Sequence, residues 1–404
     1  MQNCDNQPGL ILFDEALQRL LDASECKVGT ETVLLSEAMG RVLAESPVAH
    51  IAVPPADNSG MDGYAVKRAD IAGETRLPIS QRIAAGIAPQ PLKEGCCARI
   101  FTGAEIPPGA DAVVMQEVVQ TEGEHAIFTT AISHGEHIRR AGQDIPAGAV
   151  VLNQGTRLQP AELGLLASVG LAEVRVYRRL KVAILSTGDE LVEPGNPLGP
   201  GQIYNSNRYI LTALLQGLGM EVIDLGCSAD TEEATLRALA SAADAADVIV
   251  STGGVSVGEE DYVKTCVEQL GQLAIWRIRI KPGKPVAYGQ VKGTPFIGLP
   301  GNPTSTLVTF CLLARPCLLK LQGACFKPPL KLQVAAGFER QRKIQRQEYL
   351  RVRLEDNVLQ PFSNQSSGVL ASTSWADGIA VIPPETCVQR GERVDFIPFS
   401  ELLA

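Results

Sequence analysis

Between residues 180 and 322 the chain alternates short apolar runs with amphipathic segments so regularly that few folds remain open to it. Runs at 182–186, 221–225 and 248–251 read as strands, and segments at 207–216, 232–243 and 259–270 carry the 3.6-residue spacing of helices. Strand, helix and strand in that order form the βαβ pattern of a parallel sheet with helices on both faces, a doubly wound α/β domain. Three polar, glycine-bearing loops each follow an apolar strand of this block: STGDEL at 186–191, STGGVSVG at 251–258 and GLPGNP at 298–303. In an open parallel sheet such loops gather at the carboxyl ends of the strands, where ligands bind. Glycine turns alone would explain one loop. Three that also carry Ser, Thr, Asp, Glu and Asn point to a ligand, and they make Thr187, Gly188, Gly253, Gly254, Ser256, Pro300, Asn302 and Pro303 candidate binding positions.

The remaining texture is different. With 404 residues the chain exceeds what one core serves, so two to four domains are expected. Phe13, Leu17, Leu20 and Leu21 fall on one helical stripe, and 36–45 reads as a second short helix with Ser36 as N-cap. Residues 51–142 are short apolar runs punctuated by proline and glycine, the texture of a β-rich domain. Pro160 and Gly170 then frame a helix at 160–169, whose expected partner is the N-terminal helical segment. After Pro328 and Pro329, strand-like pieces at 349–354 and 393–397 suggest a small barrel. The expected organisation is therefore a discontinuous helical domain (1–50 and 143–179), an inserted β-rich domain (51–142), the α/β domain (180–326) and a C-terminal β-barrel-like domain (327–404).

A formal charge of -9 argues against a nucleic-acid partner, because phosphate binding needs a basic surface. Any anionic ligand must meet a local basic pocket. The 10 cysteines show no C-x-x-C spacing and most sit in apolar runs, which suits reduced structural thiols. The first 25 residues lack the pattern of a secretory signal, and no stretch reaches the roughly 18 to 20 apolar residues of a membrane span. A cytoplasmic protein with no membrane partner is expected.

Several side chains carry chemistry. Pro303 can open the helix that runs through Val308 and Leu312, with Asn302 as its cap, and the exposed N–H groups would form either an anion site or a simple cap. The segment IKPGKP at 280–285 holds Lys281 and Lys284 on a connection stiffened by two prolines, suited to a phosphate or oxyanion; two solvated turn lysines are the bland alternative. Asp189, Glu190, Asp230 and Asp261 follow strands or begin helices, as carboxylates for Mg2+ bound together with a phosphate would. Asp230 equally fits a helix N-cap with Glu233 three residues on, and Asp261 equally complements a helix dipole. Neither G-x-x-x-x-G-K-[ST] nor G-x-G-x-x-G is present, and the four histidines are too scattered for zinc.

Seven motifs taken in order carry a resemblance: DNSGMDGYAV (57–66), TGAEIPPGADAVV (102–114), RRAGQDI (139–145), STGDEL, GGVSVGEEDY (253–262), KPGKP and GLPGNP. Together they resemble the MoeA family of molybdopterin molybdenumtransferases, which includes the gephyrin E domain, over essentially the whole chain. The resemblance implies a MogA-like α/β domain and a reaction in which adenylylated molybdopterin and molybdate, with Mg2+, give molybdenum cofactor and AMP. It implies catalytic roles for Asp57, Asp62, Thr102, Glu190, Asp230 and Asp261, the last three also as metal ligands. Arg139, Asp144, Lys281, Lys284, Pro300 and Pro303 would line the cleft, and Ser367, with Ser366 adjoining it, is the nearest match to a serine of the family's C-terminal domain. A homodimer is implied, its cleft combining the insertion of one subunit with the α/β domain of the other, and a MogA-type adenylyltransferase is an implied partner. The chain departs from the family's usual pattern at Gly60, Glu105 and Gln143, and Gln143 leaves Asp144 as the acid of its loop. Two rival functions remain: an adenylyltransferase acting one step earlier, and a non-catalytic scaffold of the gephyrin kind. The additional domains argue against the adenylyltransferase.

Overall fold

A computed structural model describes residues 10–254 and 262–403. Strand Lys181–Thr187 lies between Glu221–Ser228 and Val248–Thr252, and Thr294–Leu299 joins the latter, all four parallel. The rest of the sheet departs from the expected parallel pattern. Gly271–Ile278, Pro285–Val291 and Thr294–Leu299 form an antiparallel meander, with Leu10–Ile11 parallel to its outer strand. Only residues 279–284 and 292–293 connect these strands, too few for a helical crossover.

Alternation along the strands builds two cores, one on each face of the sheet. Val182, Ile184, Val248 and Val250 pack with Leu211 and Leu215 of Ser206–Gly217 and with Val308 and Leu318 of the helical run Pro303–Leu321. Ala183, Leu185 and Ile249 pack with Leu239 of Glu232–Ala245 and Val263 and Val267 of Tyr262–Leu270. Helices therefore cover both faces, as the doubly wound reading requires. Pro303–Leu321 is the one helix among the described residues long and apolar enough to cross a membrane, but it is mostly buried in the first core. It widens into a π-helical turn at Phe310–Ala314, just before Pro316, whose missing N–H removes an α-helical bond.

The N-terminal segment corrects two expectations. Helix Phe13–Ala23 forms, but Ala16 and Leu20 enter the α/β core instead of packing on Pro160–Ser168. That second helix packs through Leu166 on Ala38, Leu43, Val174 and Val176. The helix expected at 36–45 is only the short 3-10 turn Leu35–Glu37. Gly40, at φ +73°, turns the chain, and Val42 and Leu43 then bridge to Arg157 and Val176 in extended conformation.

Residues 63–128 contribute a six-stranded sheet whose core is anchored by Tyr64 against Phe128, edge to face at 6.0 Å. At the C-terminal end, Gln347–Glu355, Val358–Pro361, Leu332–Ala336, Arg393–Pro398 and Gly378–Ile382 pair in sequence and close back on Gln347–Glu355, a five-stranded barrel. The barrel is welded to the α/β unit: Tyr349, Ile379, Val381 and Ile397 share its first core, and Ile280–Lys281 pairs in parallel with Gln347 and Glu348. All cysteines among the described residues are free thiols.

Candidate functional site

The parallel strands Lys181–Thr187, Val248–Thr252 and Thr294–Leu299 deliver their following loops to one edge of the sheet. These loops pack closely enough to require glycine. A Cβ on Gly254, whose φ is +66°, would lie 2.3 Å from Val263 Cγ2, whereas one on Gly301 would meet Gly253 Cα only at an ordinary contact distance of 3.7 Å. Asn207, in the first turn of Ser206–Gly217, ties two loops together by donating from Nδ2 to Thr252 Oγ1 at 2.9 Å and to the Gly301 carbonyl at 2.7 Å.

Beside these loops the Lys281 segment and the barrel complete a cleft of about 700 Å³. Its lining includes Thr187, Glu190, Gly253, Gly254, Lys281, Lys284, Pro300, Asn302, Pro303 and Ser367 of the candidates read from sequence. Among the described residues, Lys281, Lys284 and Arg346 outnumber the one lining carboxylate, Glu190. In a chain of net charge -9 this is the local basic pocket that an anionic ligand needs. Gly283 holds the lysine segment against the helix that begins at Pro303: at φ +99°, a Cβ there would lie 2.3 Å from Thr309 Cγ2.

Lys281 has a second engagement that its sequence did not suggest. Its Nζ donates to Glu348 Oε1 at 2.9 Å, and Arg340 Nη2 donates to both oxygens of the same carboxylate at 2.6 Å. The Glu348 side chain is only 2% exposed. Burial opposes its ionisation, but the hydrogen bonds from Arg340 and Lys281 prevail and hold its carboxyl below the ordinary value.

The remaining candidates lie elsewhere. Asp57, Asp62, Thr102, Arg139 and Asp144 are not among the residues lining this cleft and belong to the segment around the inserted sheet. Asp62 accepts from the Thr102 amide at 2.8 Å and its hydroxyl at 2.7 Å, which keeps its pKa low. Asp57 accepts from the Ala141 amide at 2.8 Å and from Arg140 at 2.5 Å, and it too is lowered, by the amide first. Arg139 pairs with Asn58 in a short ladder near Gly60, where an alanine Cβ would come within 3.2 Å of the His137 carbonyl. Asp144 is exposed beside Val53. Gly188, at φ +142°, connects Thr187 to Glu190; a Cβ on it would meet the Glu190 carboxylate at 2.6 Å.

Two capping expectations are corrected. Thr231, not Asp230, caps Glu232–Ala245 by accepting from the Ala234 amide, while the Asp230 amide donates to Asp189 Oδ1. Asn302 occupies the N-cap position of Pro303–Thr309 without a side-chain bond. The Thr304 amide there donates instead to the Ser367 carbonyl at 3.0 Å, so part of the expected anion site is already occupied by the barrel. Ser256 and Asp261 lie outside the described residues. Among those described, no group of three or more His, Cys, Asp or Glu side chains is placed to hold a metal.

Sequence reasoning missed Asn207, Arg346 and Gln365 as cleft residues. Asn207 was hidden inside a helix start. The other two come from the barrel, whose approach to the cleft depends on the parallel pairing of 280–281 with 347–348 and has no local signature.

Comparison with known proteins assigns the chain three consecutive family regions: the MoeA N-terminal region (domains I and II) at 11–170, a probable molybdopterin binding domain at 183–320, and the MoeA C-terminal region (domain IV) at 333–399. A molybdopterin molybdenumtransferase of Haemophilus influenzae is 40% identical over 406 residues, 98% of this chain and 100% of the relative. One from Nostoc is 37% identical and covers 90% of this chain and 88% of its own. The crystal structure of a molybdopterin biosynthesis moeA protein from Pyrococcus horikoshii OT3 superposes with a TM-score of 0.83 at 30% identity, covering 96% of this chain and 100% of that one.

Proposed function

Because this chain belongs to the MoeA family of molybdopterin molybdenumtransferases, we propose that it inserts molybdate into adenylylated molybdopterin with release of AMP, the final step of molybdenum cofactor synthesis. The observation that carries this reading is the locally basic cleft of about 700 Å³ built from the family's own loop motifs, with Lys281 and Lys284 on one side and the glycine loops on the other.

The chemistry asks for positioning more than for a nucleophile. Lys281 and Lys284 would hold the substrate's phosphates, and Arg346 with the backbone around Ser367 would face the second anion, molybdate. Bringing two mutually repelling anions into one site and orienting them supplies much of the rate. Glu190, the one carboxylate lining the cleft among the described residues, fits a Mg2+ site, since this ion is commonly held by one or two carboxylates together with substrate phosphates. Asp230 and Asp261 are the further ligands proposed, and Mg2+ when bound would neutralise the pyrophosphate. Asp57, Asp62, Thr102, Arg139 and Asp144 would act from the insertion of a second subunit, which makes the working unit a homodimer. A MogA-type adenylyltransferase would supply the substrate, and the reaction would run in the cytoplasm.

Two incubations test the function. The purified protein with adenylylated molybdopterin, molybdate and Mg2+ should release AMP and form cofactor that activates an apo-molybdoenzyme. With ATP and molybdopterin it should form no adenylylated product. The opposite pattern would make it an adenylyltransferase, and silence in both would make it a scaffold.

A further inference from the structure

Strand Gln347–Glu355 turns Arg351 into the interior, where it is 1% exposed and is the largest fully buried side chain among the described residues. Its hydrogen-bond acceptors are all neutral: Ser372 Oγ at 3.1 Å, the Tyr349 carbonyl at 3.3 Å and the Ser366 carbonyl at 3.2 Å. Burial pushes its pKa down to about 10, with no neighbouring charge resisting the shift. A buried guanidinium held only by neutral groups is expensive to desolvate, and hydrophobic residues of similar volume would often serve stability as well. Its placement therefore calls for a reason other than packing.

That reason lies in the strap it holds. Gln365 pairs with the Arg351 backbone in both directions, accepting from its amide at 3.0 Å and donating to its carbonyl at 2.9 Å. Arg351 then takes the carbonyl of Ser366. On its other side the strap is tied to the α/β unit by one buried residue, Thr304, in the first turn of the helix beginning at Pro303. The Thr304 amide donates to the Ser367 carbonyl at 3.0 Å and its hydroxyl to the Val369 carbonyl at 3.0 Å. Gln365, Ser366 and Ser367 line the cleft, and the carbonyls of Ser366 and Ser367 are drawn out of the way from two directions, by Arg351 and by Thr304. Anchoring these carbonyls away from an anion is what a cleft for phosphate and molybdate requires.

We propose that Arg351 and Thr304 are positioning residues that latch the barrel's 365–369 strap across the cleft, with the buried Arg351 charge adding to the field that attracts the anionic substrate. Neither is placed against the reacting atoms: Thr304 acts through the strap, and Arg351 through the strap and its charge. The inference rests on the molybdenum-transfer reading, and its test separates the two.

Steady-state molybdenum insertion would be measured for the wild type, Thr304→Val, Thr304→Ser, Arg351→Met and Arg351→Lys, with thermal unfolding of each. Thr304→Val keeps shape and loses one hydrogen bond of the latch. It should raise KM for molybdate or the adenylylated pterin about tenfold, the effect of losing one well-placed hydrogen bond, with little change in kcat. Thr304→Ser, which keeps the hydroxyl, should return KM to near the wild-type value. Arg351→Met should raise KM further, with Arg351→Lys intermediate because charge survives but the fork does not. If Arg351→Met does not fold, the threonine pair decides alone. An inactive wild type would overturn the transfer reading; an active wild type with KM unchanged in Thr304→Val would overturn the latch; equal impairment in Thr304→Ser and Thr304→Val would also overturn it.

Discussion

At the scale of single residues, Lys281 shows how one side chain can serve both ligand and fold. It faces the cleft, yet its ammonium also satisfies the buried Glu348 that Arg340 holds from the other side. Replacing it with methionine should weaken binding of the adenylylated pterin and also lower stability by roughly 1 to 2 kcal/mol, a charge-assisted bond discounted for the partial exposure of the lysine. The pH dependence follows from Glu348. Its pKa is depressed in the folded state, so its contribution is present above the unfolded carboxylate pKa and disappears as pH falls through the folded value. The stability gap between wild type and Lys281→Met should therefore be full near pH 7 and close in acid. Denaturant unfolding at several pH values would check this, and a gap that is absent at pH 7 or grows in acid would return Lys281 to a ligand-only role. The sequence showed the lysine pair because prolines and glycine frame it. It concealed Glu348, 67 residues away, because only the barrel's parallel pairing brings that carboxylate to it.

At the scale of elements, the strands of the parallel part of the sheet were readable because short continuous apolar runs and 3.6-residue segments alternate over 182–270. The antiparallel meander was not, since an apolar run carries no record of its direction; the short connections at 279–284 and 292–293 were the available clue. The segment 36–45 deceived for a related reason: Ala38 and Val42 keep helical spacing while Gly40 adopts φ +73° and Val42 joins a bridge. Glycine also decides the lysine loop. Gly283→Ala would force a positive φ on alanine and drive Cβ into Thr309, so the helix starting at Pro303 must shift. The expected cost is about 2 kcal/mol or more from overpacking and backbone strain together, with loss of cleft binding. An unchanged thermal midpoint would show that the loop and helix are free to move apart.

At the scale of the whole molecule, the candidate residues divide into two sets within one chain. The cleft is lined by the α/β unit and barrel, while Asp57, Asp62, Thr102, Arg139 and Asp144 sit with the inserted sheet. The proposed homodimer would unite them, and exposed Met39, Val48, Ile51 and Val150 near the N-terminal segment are apolar surface it could cover. Light scattering at micromolar concentration should then give twice the 43.0 kDa chain mass, and a monomer would refute the shared cleft. The most direct test of the account is a crystal structure of the protein with adenylylated molybdopterin and molybdate. The account predicts the pyrophosphate against Lys281 and Lys284, with Glu190 on the same side and the strap of Gln365 to Ser367 facing the molybdate. A pyrophosphate bound away from both lysines, with the glycine loops untouched, would contradict it.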